Sequence, residues 1–337
     1  MYDKNLRGLA VRIGLAMLIF YGMFSTVATI PIYLETYLLY DILEPDAAHI
    51  IGQGLYGIFY FLSFSIPALI LCKMQKKKID YRPITFREKL PKYTPLIIVG
   101  AISINFAVAY FNSLIFMPFI STYNDVVTSS LSGDSSVSVA VRIIMMFFTT
   151  AIVPALCEEF LFRGAMISNL SPYGRGMAIF FSSLMFGLMH QNLFQLVYTM
   201  LLGVVLGCVY VKTKSLWCCV LIHFFNNGVS VLQEALFMTL EERYATIAVM
   251  IIEIAIIAFG AFSVVFLLAK KYLRPRPIDV GSFGVIHEPD SDYAEYTVTK
   301  GKKVKLLLSP TVIAFSVIAI ISIASMLLTV LLMGAIA

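Results

Sequence analysis

Long apolar stretches alternate with short polar stretches along almost the whole chain. A helix needs about 20 mostly apolar residues to cross the hydrocarbon core of a bilayer. The pattern therefore predicts nine membrane-spanning helices, of which the fifth is the shortest and has polar ends. The predicted spans are residues 8–33, 50–72, 94–119, 139–169, 176–191, 193–211, 215–236, 244–269 and 306–336.

The first stretch is longer than the apolar region of a typical signal peptide, and no convincing small-residue cleavage site follows it. We therefore expect it to be a retained span. Around residues 160–195 the limits of the spans are the least clear, and the number of spans could differ there by one. The predicted fold class is an all-α polytopic membrane helical bundle with about nine transmembrane helices, eight being the alternative count.

Basic residues cluster in alternate loops, as the positive-inside rule requires. Residues 73–92 carry eight Lys or Arg, whereas the loop before them carries four acidic residues and no basic ones. This alternation predicts a cytoplasmic N-terminus and an external C-terminus. The basic residues assigned to the cytoplasmic side after the fourth, sixth and eighth spans are Arg175, Lys212, Lys214, Lys270, Lys271, Arg274 and Arg276.

Three parts follow from this pattern. Residues 1–138 hold the first three spans and the basic loop, residues 139–236 hold the polar residues treated below, and residues 237–337 hold the last spans. The polar stretch 272–305 is predicted to be a cytoplasmic loop whose basic ends rest on anionic lipid headgroups.

Composition agrees with a membrane protein. The 337 residues are 59% hydrophobic and 13% charged, against about 25% charged in soluble domains, and the mean hydropathy is +0.87. Five cysteines without a CxxC pair favour neither a disulfide framework nor a zinc finger. The basic runs flank membrane spans, so we expect membrane lipids and a membrane-associated peptide or protein as partners, and no nucleic acid. The expected location is a bacterial plasma membrane.

Charged side chains inside the fourth span are the first sign of a site. Glu158, Glu159 and Arg163 lie within six residues of a very apolar segment, and an ionised group at the bilayer centre costs at least about 2.5 kcal/mol. Glu159 and Arg163 are four residues apart, so they share a helix face and can form an ion pair. Glu158 points about 100° away and is available to another helix.

Two further spans carry histidine. Phe186 and His190 end the fifth span, and His223 and Asn227 share one face of the seventh. A single histidine or asparagine in a span is more often a packing contact than a functional group, but ionisable groups concentrated between residues 158 and 227 indicate a site or a pathway. We expect these groups to surround one hydrated pocket that faces the cytoplasm. Counted at 1.5 Å per residue, His190 is the deepest of these groups, about 22 Å from the cytoplasmic end of its span.

The residue types suit hydrolysis of an amide bond. A carboxylate and an imidazole can hold and deprotonate a water molecule, and a second imidazole with a carboxamide can donate hydrogen bonds to a developing oxyanion. Two histidines and a carboxylate also suit a hydrolytic zinc site. Glu158, His190 and His223 are the candidate ligands if a metal is bound, and the sequence leaves Zn²⁺ and a metal-free site open.

Other positions in the spans carry smaller expectations. Pro154 is expected to kink the fourth span and free backbone carbonyls. Gly203 and Gly207 form a small-residue face that favours close helix packing. Glu253, in the middle of the eighth span, is either a proton-relay or substrate group or a protonated carboxyl hydrogen-bonded between helices.

The three polar motifs resemble those of the CPBP family. This family comprises the CAAX proteases and the bacteriocin-processing and bacteriocin-immunity proteins, including the type II CAAX prenyl endopeptidases. The matching motifs, in the family's order and spacing, are Glu158-Glu159-xxx-Arg163, Phe186-xxx-His190 and His223-xxx-Asn227. The resemblance covers residues 140–235 approximately.

The resemblance implies roles for six residues. Glu158 resembles the catalytic glutamate and His190 its water-activating partner, Glu159 and Arg163 look like a supporting ion pair, and His223 and Asn227 look like an oxyanion-stabilising pair. It implies a CAAX-type intramembrane protease, which is either a metalloprotease or a glutamate-dependent endopeptidase. Two alternatives stay open: a non-catalytic bacteriocin-immunity or membrane scaffold protein, and a small transporter.

Overall fold

The computed structural model describes residues 2–26, 29–74, 90–130, 136–272 and 308–334, and these residues form helices with no strand among them. Short helical segments, Ile30–Leu34, Glu35–Leu39 and Tyr40–Ile42, lie between the first two main helices. The main helices of the described residues are α1 (Tyr2–Thr26), α2 (Pro45–Met74), α3 (Thr94–Ser130), α4 (Val139–Leu170), α5 (Arg175–Met189), α6 (Leu193–Thr213), α7 (Leu216–Thr239), α8 (Glu242–Ala269) and α9 (Pro310–Gly334).

Eight helices in the described ranges are long and apolar enough to cross a membrane. The chain is therefore a multi-pass membrane protein, and the predicted all-α polytopic bundle is confirmed. Helix α5 has 15 residues and covers about 22 Å, which is less than the roughly 30 Å of a hydrocarbon core. The fifth predicted span is thus a short helix that packs against α6.

One boundary differs from expectation. A loop is predicted from Ser121 to Ser138, but α3 continues as a helix to Ser130. Between Pro118 and Gly133 the chain contains neither proline nor glycine, so nothing in that stretch ends the helix. Nearly all of the predicted loop 272–305 lies outside the described residues, as do residues 75–89 of the second basic loop.

Contacts between distant helices define the two ends of the bundle. At one end, which we call the basic end, the ammonium of Lys212 lies 5.8 Å from the ring centroid of Tyr272, and Tyr272 packs against Tyr93 with ring centroids 5.2 Å apart. At the other end, which we call the acidic end, the backbone N–H and the hydroxyl of Ser138 donate to the carboxylate of Asp46 at 2.7 and 2.8 Å. These contacts fix the relative level of residues on different helices.

The half of the bundle nearest the basic end is densely packed. Many of its side chains are apolar and fully or almost fully buried, so van der Waals packing stabilises this half. The residues that fill it on α4, α6 and α7 are Leu161, Phe162, Ala165, Met166, Ile167, Leu170, Leu206, Cys218, Cys219 and Ile222.

Helices α5 and α6 form a tight hairpin. A Cβ added at Gly203 would lie 3.0 Å from the Cα of Ser183, and one at Gly207 would lie 3.0 Å from Ile179. The small-residue face of α6 therefore packs within the chain, as predicted. At the tip, the Asn192 side chain accepts hydrogen bonds from the first backbone N–H groups of α6, which starts the helix immediately after the turn.

Helix α4 changes its winding on both sides of the two glutamates. The segments Phe147–Ile152 and Phe160–Ile167 are π-helical, and such wider turns occur often at functional sites. Pro154 has no backbone N–H and cannot donate to the carbonyl four residues earlier, which belongs to Thr150. Glu158 lies one turn after Pro154, in the α-helical segment Val153–Glu159 between the two π-helical segments.

Candidate active site

The ion pair of Glu159 and Arg163 lies in the interior of the bundle. Arg163 Nη1 is 2.8 Å from Glu159 Oε1, and both residues are 0% exposed. Arg163 Nη2 also donates to the backbone oxygen of Gly203 at 3.1 Å, and the guanidinium lies 4.6 Å from the ring centroid of Phe186. The predicted ion pair is therefore formed, and its contacts link α4 to α5 and α6.

His223 of α7 is held by the same carboxylate. Its Nδ1 lies 2.8 Å from Glu159 Oε1, an oxygen that already accepts from Arg163. A carboxylate paired with arginine accepts hydrogen bonds, so Nδ1 carries the ring hydrogen and Nε2 is the acceptor of the neutral ring. Nε2 in turn lies 3.9 Å from Glu158 Oε2. Glu159 therefore orients His223 toward Glu158.

Glu158 is the carboxylate with an unused oxygen beside the cavity. It is 3% exposed, and its Oε1 accepts a 2.5 Å hydrogen bond from the hydroxyl of Tyr60 on α2. Its Oε2 is buried without a hydrogen-bond partner in the described part of the chain. A buried carboxylate oxygen requires a donor, and one water molecule between Oε2 and His223 Nε2 would supply it.

His190 caps the end of α5 and lines the same cavity. Its Nδ1 donates to the backbone oxygen of Phe186 at 2.8 Å, so Nε2 is again the acceptor of the neutral ring. The Phe186 ring lies between the two histidines, with centroid distances of 5.2 Å to His190 and 5.9 Å to His223. The imidazole within 4 Å of a Glu158 oxygen belongs to His223, although the family resemblance assigns His190 as the partner of Glu158.

Asn227 belongs to a chain of side-chain amides. Asn105 Nδ2 donates to Asn226 Oδ1 at 2.7 Å, and Asn226 Nδ2 donates to Asn227 Oδ1 at 3.1 Å. Asn227 Nδ2 then donates to the backbone oxygen of Thr150 at 2.9 Å, the carbonyl that Pro154 cannot serve. One N–H of the Asn227 amide is thereby used in holding α7 against α4, and the second is available to a ligand.

These groups border one cavity of about 640 Å³. Four of the six predicted site residues line it, namely Glu158, His190, His223 and Asn227, while Glu159 and Arg163 lie behind its wall. Glu253 also lines it and accepts a 2.9 Å hydrogen bond from Gln233. The further polar lining residues are Tyr56, Tyr60, Asn105, Tyr110, Ser113, Thr149, Thr150, Gln195, Tyr198, Thr199, Asn226, Ser230 and Gln233.

The cavity lies toward the acidic end of the bundle. From the catalytic level it extends along α4 past Pro154 to Thr149, and along α7 past Asn227 to Gln233, which is about 9 Å from the last residue of that helix. The packed half described above separates it from the basic end. The described lining thus runs from the middle of the bundle toward the acidic end, whereas a pocket near the basic loops is expected from the sequence, because sequence depth does not reveal which half of a bundle is filled.

The candidate metal ligands lie on three different helices or turns of the site. Glu158, His190 and His223 are suitable ligand types, but the described residues contain no group of three His, Cys, Asp or Glu side chains placed to hold a metal ion. The described geometry therefore does not fit a three-ligand zinc site.

Sequence reasoning missed Tyr60, Asn105 and Asn226 as parts of the site. Asn105 and Asn226 are carboxamides inside apolar spans, a signal that also identified Asn227 and was available for both. Tyr60 gives no such signal, because it is one of 18 tyrosines and its contact with Glu158 joins residues that are 98 positions apart.

Comparison with known families gives one match. Residues 140–229 match the family model described as type II CAAX prenyl endopeptidase Rce1-like. No curated protein and no solved structure matches the chain. The matched segment runs from α4 into α7 and contains all six predicted site residues, and the family supports CAAX-type intramembrane protease activity in general. Over residues 140–229 the chain is therefore similar to the Rce1-like type II CAAX prenyl endopeptidases, which confirms the resemblance that the three motifs indicated.

Proposed function

We propose that the protein is an intramembrane endopeptidase that hydrolyses a peptide bond of a membrane-associated or lipidated protein or peptide. The observation that carries the proposal is the buried Glu158 carboxylate, whose unpartnered Oε2 faces an imidazole nitrogen 3.9 Å away beside a polar cavity. A water molecule held there has a base on one side and room for a substrate carbonyl on the other. The family match of the same segment supports the proposal.

In the first step Glu158 acts as the general base. Tyr60 donates to Oε1 and so directs Oε2 at the water. As the water oxygen forms a bond to the carbonyl carbon of the scissile amide, one water proton passes to Oε2 and the carbonyl oxygen becomes an oxyanion. General base catalysis of this kind contributes about 10²–10⁴-fold in rate.

The oxyanion needs hydrogen-bond donors on the other side of the substrate. The free N–H of Asn227 is one donor on the cavity wall, and either histidine becomes a second when its Nε2 carries a proton. In the second step the carbonyl re-forms, the C–N bond breaks, and the proton on Glu158 passes to the leaving nitrogen. The products are a carboxylic acid and an amine, and Glu158 returns to its starting state.

The test compares the membrane proteomes of cells that express the wild type, Glu158→Gln and Glu234→Gln. Glu158→Gln keeps the shape of the side chain and removes the base. Glu234 lies on α7 and is exposed outside the cavity lining, so Glu234→Gln is a matched control. We expect shortened membrane proteins or released fragments with the wild type and the control, and their loss in Glu158→Gln at equal expression.

The same comparison separates the alternative functions. A non-catalytic immunity or scaffold protein gives identical proteomes for all three chains and keeps its phenotype in Glu158→Gln. A transporter shows flux in liposomes without any cleaved product. Either result would contradict the proposed protease.

A further inference from the structure

The position of the cavity within the bundle is asymmetric. Measured along their helices from the basic end, His223 lies about 10 Å away, Asn105 and Leu202 about 16 Å, and Glu158 and Ile257 about 18 Å. These residues form the floor of the cavity. Between them and the basic end lies the packed half, in which Phe162, Met166 and Leu206 are completely buried.

The other lining residues continue toward the acidic end. Gln195 lies in the first turn of α6, immediately beside the tip of the α5–α6 hairpin. Thr150 and Ser230 line the cavity and are also exposed. The lining therefore extends from the middle of the bundle into the acidic half, and none of the residues named for the packed half belongs to it.

The charges identify the compartment at each end. The described residues at the basic end include Lys73, Lys92, Arg175, Lys214 and Lys270, and the sequence between the described ranges adds six Lys or Arg in residues 75–89. The acidic end carries Glu35, Asp41, Glu44, Asp46, Glu234, Glu241 and Glu242, with Arg142 and Arg243 as the basic residues of its described part. Basic loops stay in the cytoplasm, so the acidic end faces the opposite side.

We propose that the pocket takes its substrate from the extracytoplasmic side of the membrane. The substrate class is a membrane-associated peptide or protein segment displayed at the outer surface, and this inference rests on the proposed protease function. A protein whose lipidated C-terminus lies on the cytoplasmic surface meets the packed half and cannot reach Glu158. The side-chain amides and hydroxyls of Asn105, Gln195, Asn226 and Ser230 supply donors and acceptors for the backbone of an entering peptide.

Cysteine labelling in intact cells tests the direction of access without any catalysis. The background is Cys208→Ala, because Cys208 is exposed and the other four cysteines are buried. Single cysteines are placed in the cavity, Ser230→Cys or Gln233→Cys, or at the exposed basic-end position Lys73→Cys. The probe is a membrane-impermeant maleimide, added before or after the cytoplasmic side is made accessible by inverting the membranes.

We expect labelling of Ser230→Cys and Gln233→Cys in intact cells, and labelling of Lys73→Cys only in inverted membranes. Labelling of the two cavity cysteines only in inverted membranes would overturn the proposal. Failure of both to react from either side would overturn it equally, because the cavity would then not be open to water. Loss of the protease function alone leaves the labelling pattern unchanged, so the two proposals fail separately.

A second measurement addresses the substrate. Fragments that depend on Glu158 are expected outside intact cells or in outer-surface segments of membrane proteins. Fragments that map consistently to cytoplasmic segments would contradict access from the outer side while leaving proteolysis itself supported.

Discussion

The side-chain amide of Asn227 donates a hydrogen bond to the backbone carbonyl of Thr150, at 2.9 Å. This contact joins α7 to α4 about two turns before the two glutamates, at the carbonyl to which Pro154 cannot donate a hydrogen bond. Asn227 therefore has a structural contact in addition to the oxyanion role that the family resemblance implies.

A double-mutant cycle separates these two roles of Asn227. Asn227→Ala removes this donor from the Thr150 carbonyl, and because the contact is exposed we expect a stability loss of about 0.5–1.5 kcal/mol. Pro154→Ala returns a backbone N–H to α4, so the loss on Asn227→Ala should be smaller in the Pro154→Ala background. Thermal unfolding of the purified variants measures the coupling, and equal losses in both backgrounds would show that the carbonyl contact carries no energy.

The hydrogen bond from Tyr60 to Glu158 is predicted to increase the rate of catalysis. A hydrogen bond to a charged group is worth about 1.5–3 kcal/mol, so Tyr60→Phe should lower kcat by about tenfold or more. The ring keeps its stacking on Phe64, at 4.9 Å between centroids, and the variant should fold normally. Tyr56→Phe is the matched control, since Tyr56 lines the cavity and packs on Tyr60 without donating to Glu158. Equal kcat for wild type and Tyr60→Phe would contradict the role given to this hydroxyl.

The buried ion pair behind the wall is predicted to serve both stability and catalysis. Removing one partner, as in Glu159→Leu or Arg163→Met, leaves a buried charge without its partner and should cost about 3–5 kcal/mol. The double variant contains neither charge, so much of this stability should return. Cleavage should stay lost, because His223 Nδ1 has no acceptor in the double variant.

Unfolding temperature and cleavage rate are measured on the same four chains in that comparison. A double variant that regains both stability and activity would show that Glu159 holds only the helices together. A double variant that regains stability alone supports Glu159 as the residue that orients His223.

The close packing of the α5–α6 hairpin is predicted to be disrupted by a side chain at Gly203. A Cβ at this position would lie 3.0 Å from the backbone and side chain of Ser183, and the carbonyl oxygen of Gly203 itself accepts a hydrogen bond from Arg163. Gly203→Ala should therefore lower the unfolding temperature and weaken the hydrogen bond from Arg163 to the Gly203 carbonyl. Gly176→Ala is the control, because an added Cβ there has nothing within 4 Å. Similar unfolding temperatures for the two variants would contradict the tight contact.

The sequence predicted the bundle well because lipid imposes a strong length rule on apolar helices. It also predicted the polar residues that converge, since charged groups are costly in a span. Counting residues along each predicted span put His190 at a different depth in the membrane from Glu158 and His223. In the structure α5 ends at Met189, and His190 lies in the turn of the α5–α6 hairpin, where its ring lines the cavity.

Two other features of the site could not be predicted from the sequence. The hydrogen bond from Tyr60 to Glu158 depends on how α2 packs against α4, and no local pattern encodes it. The direction of the cavity depends on which half of the bundle is filled, and apolar residues such as Phe162 and Leu206 look the same in a packed half as in a lipid-facing surface.

The most direct test of the central claim is cleavage by purified chains in proteoliposomes, using a substrate found in the proteome comparison. If Glu158 is the general base, Glu158→Gln should bind this substrate and cleave it about 10²–10⁴-fold more slowly than the wild type, while Glu234→Gln keeps the wild-type rate. Cleavage by Glu158→Gln at the wild-type rate would contradict the account.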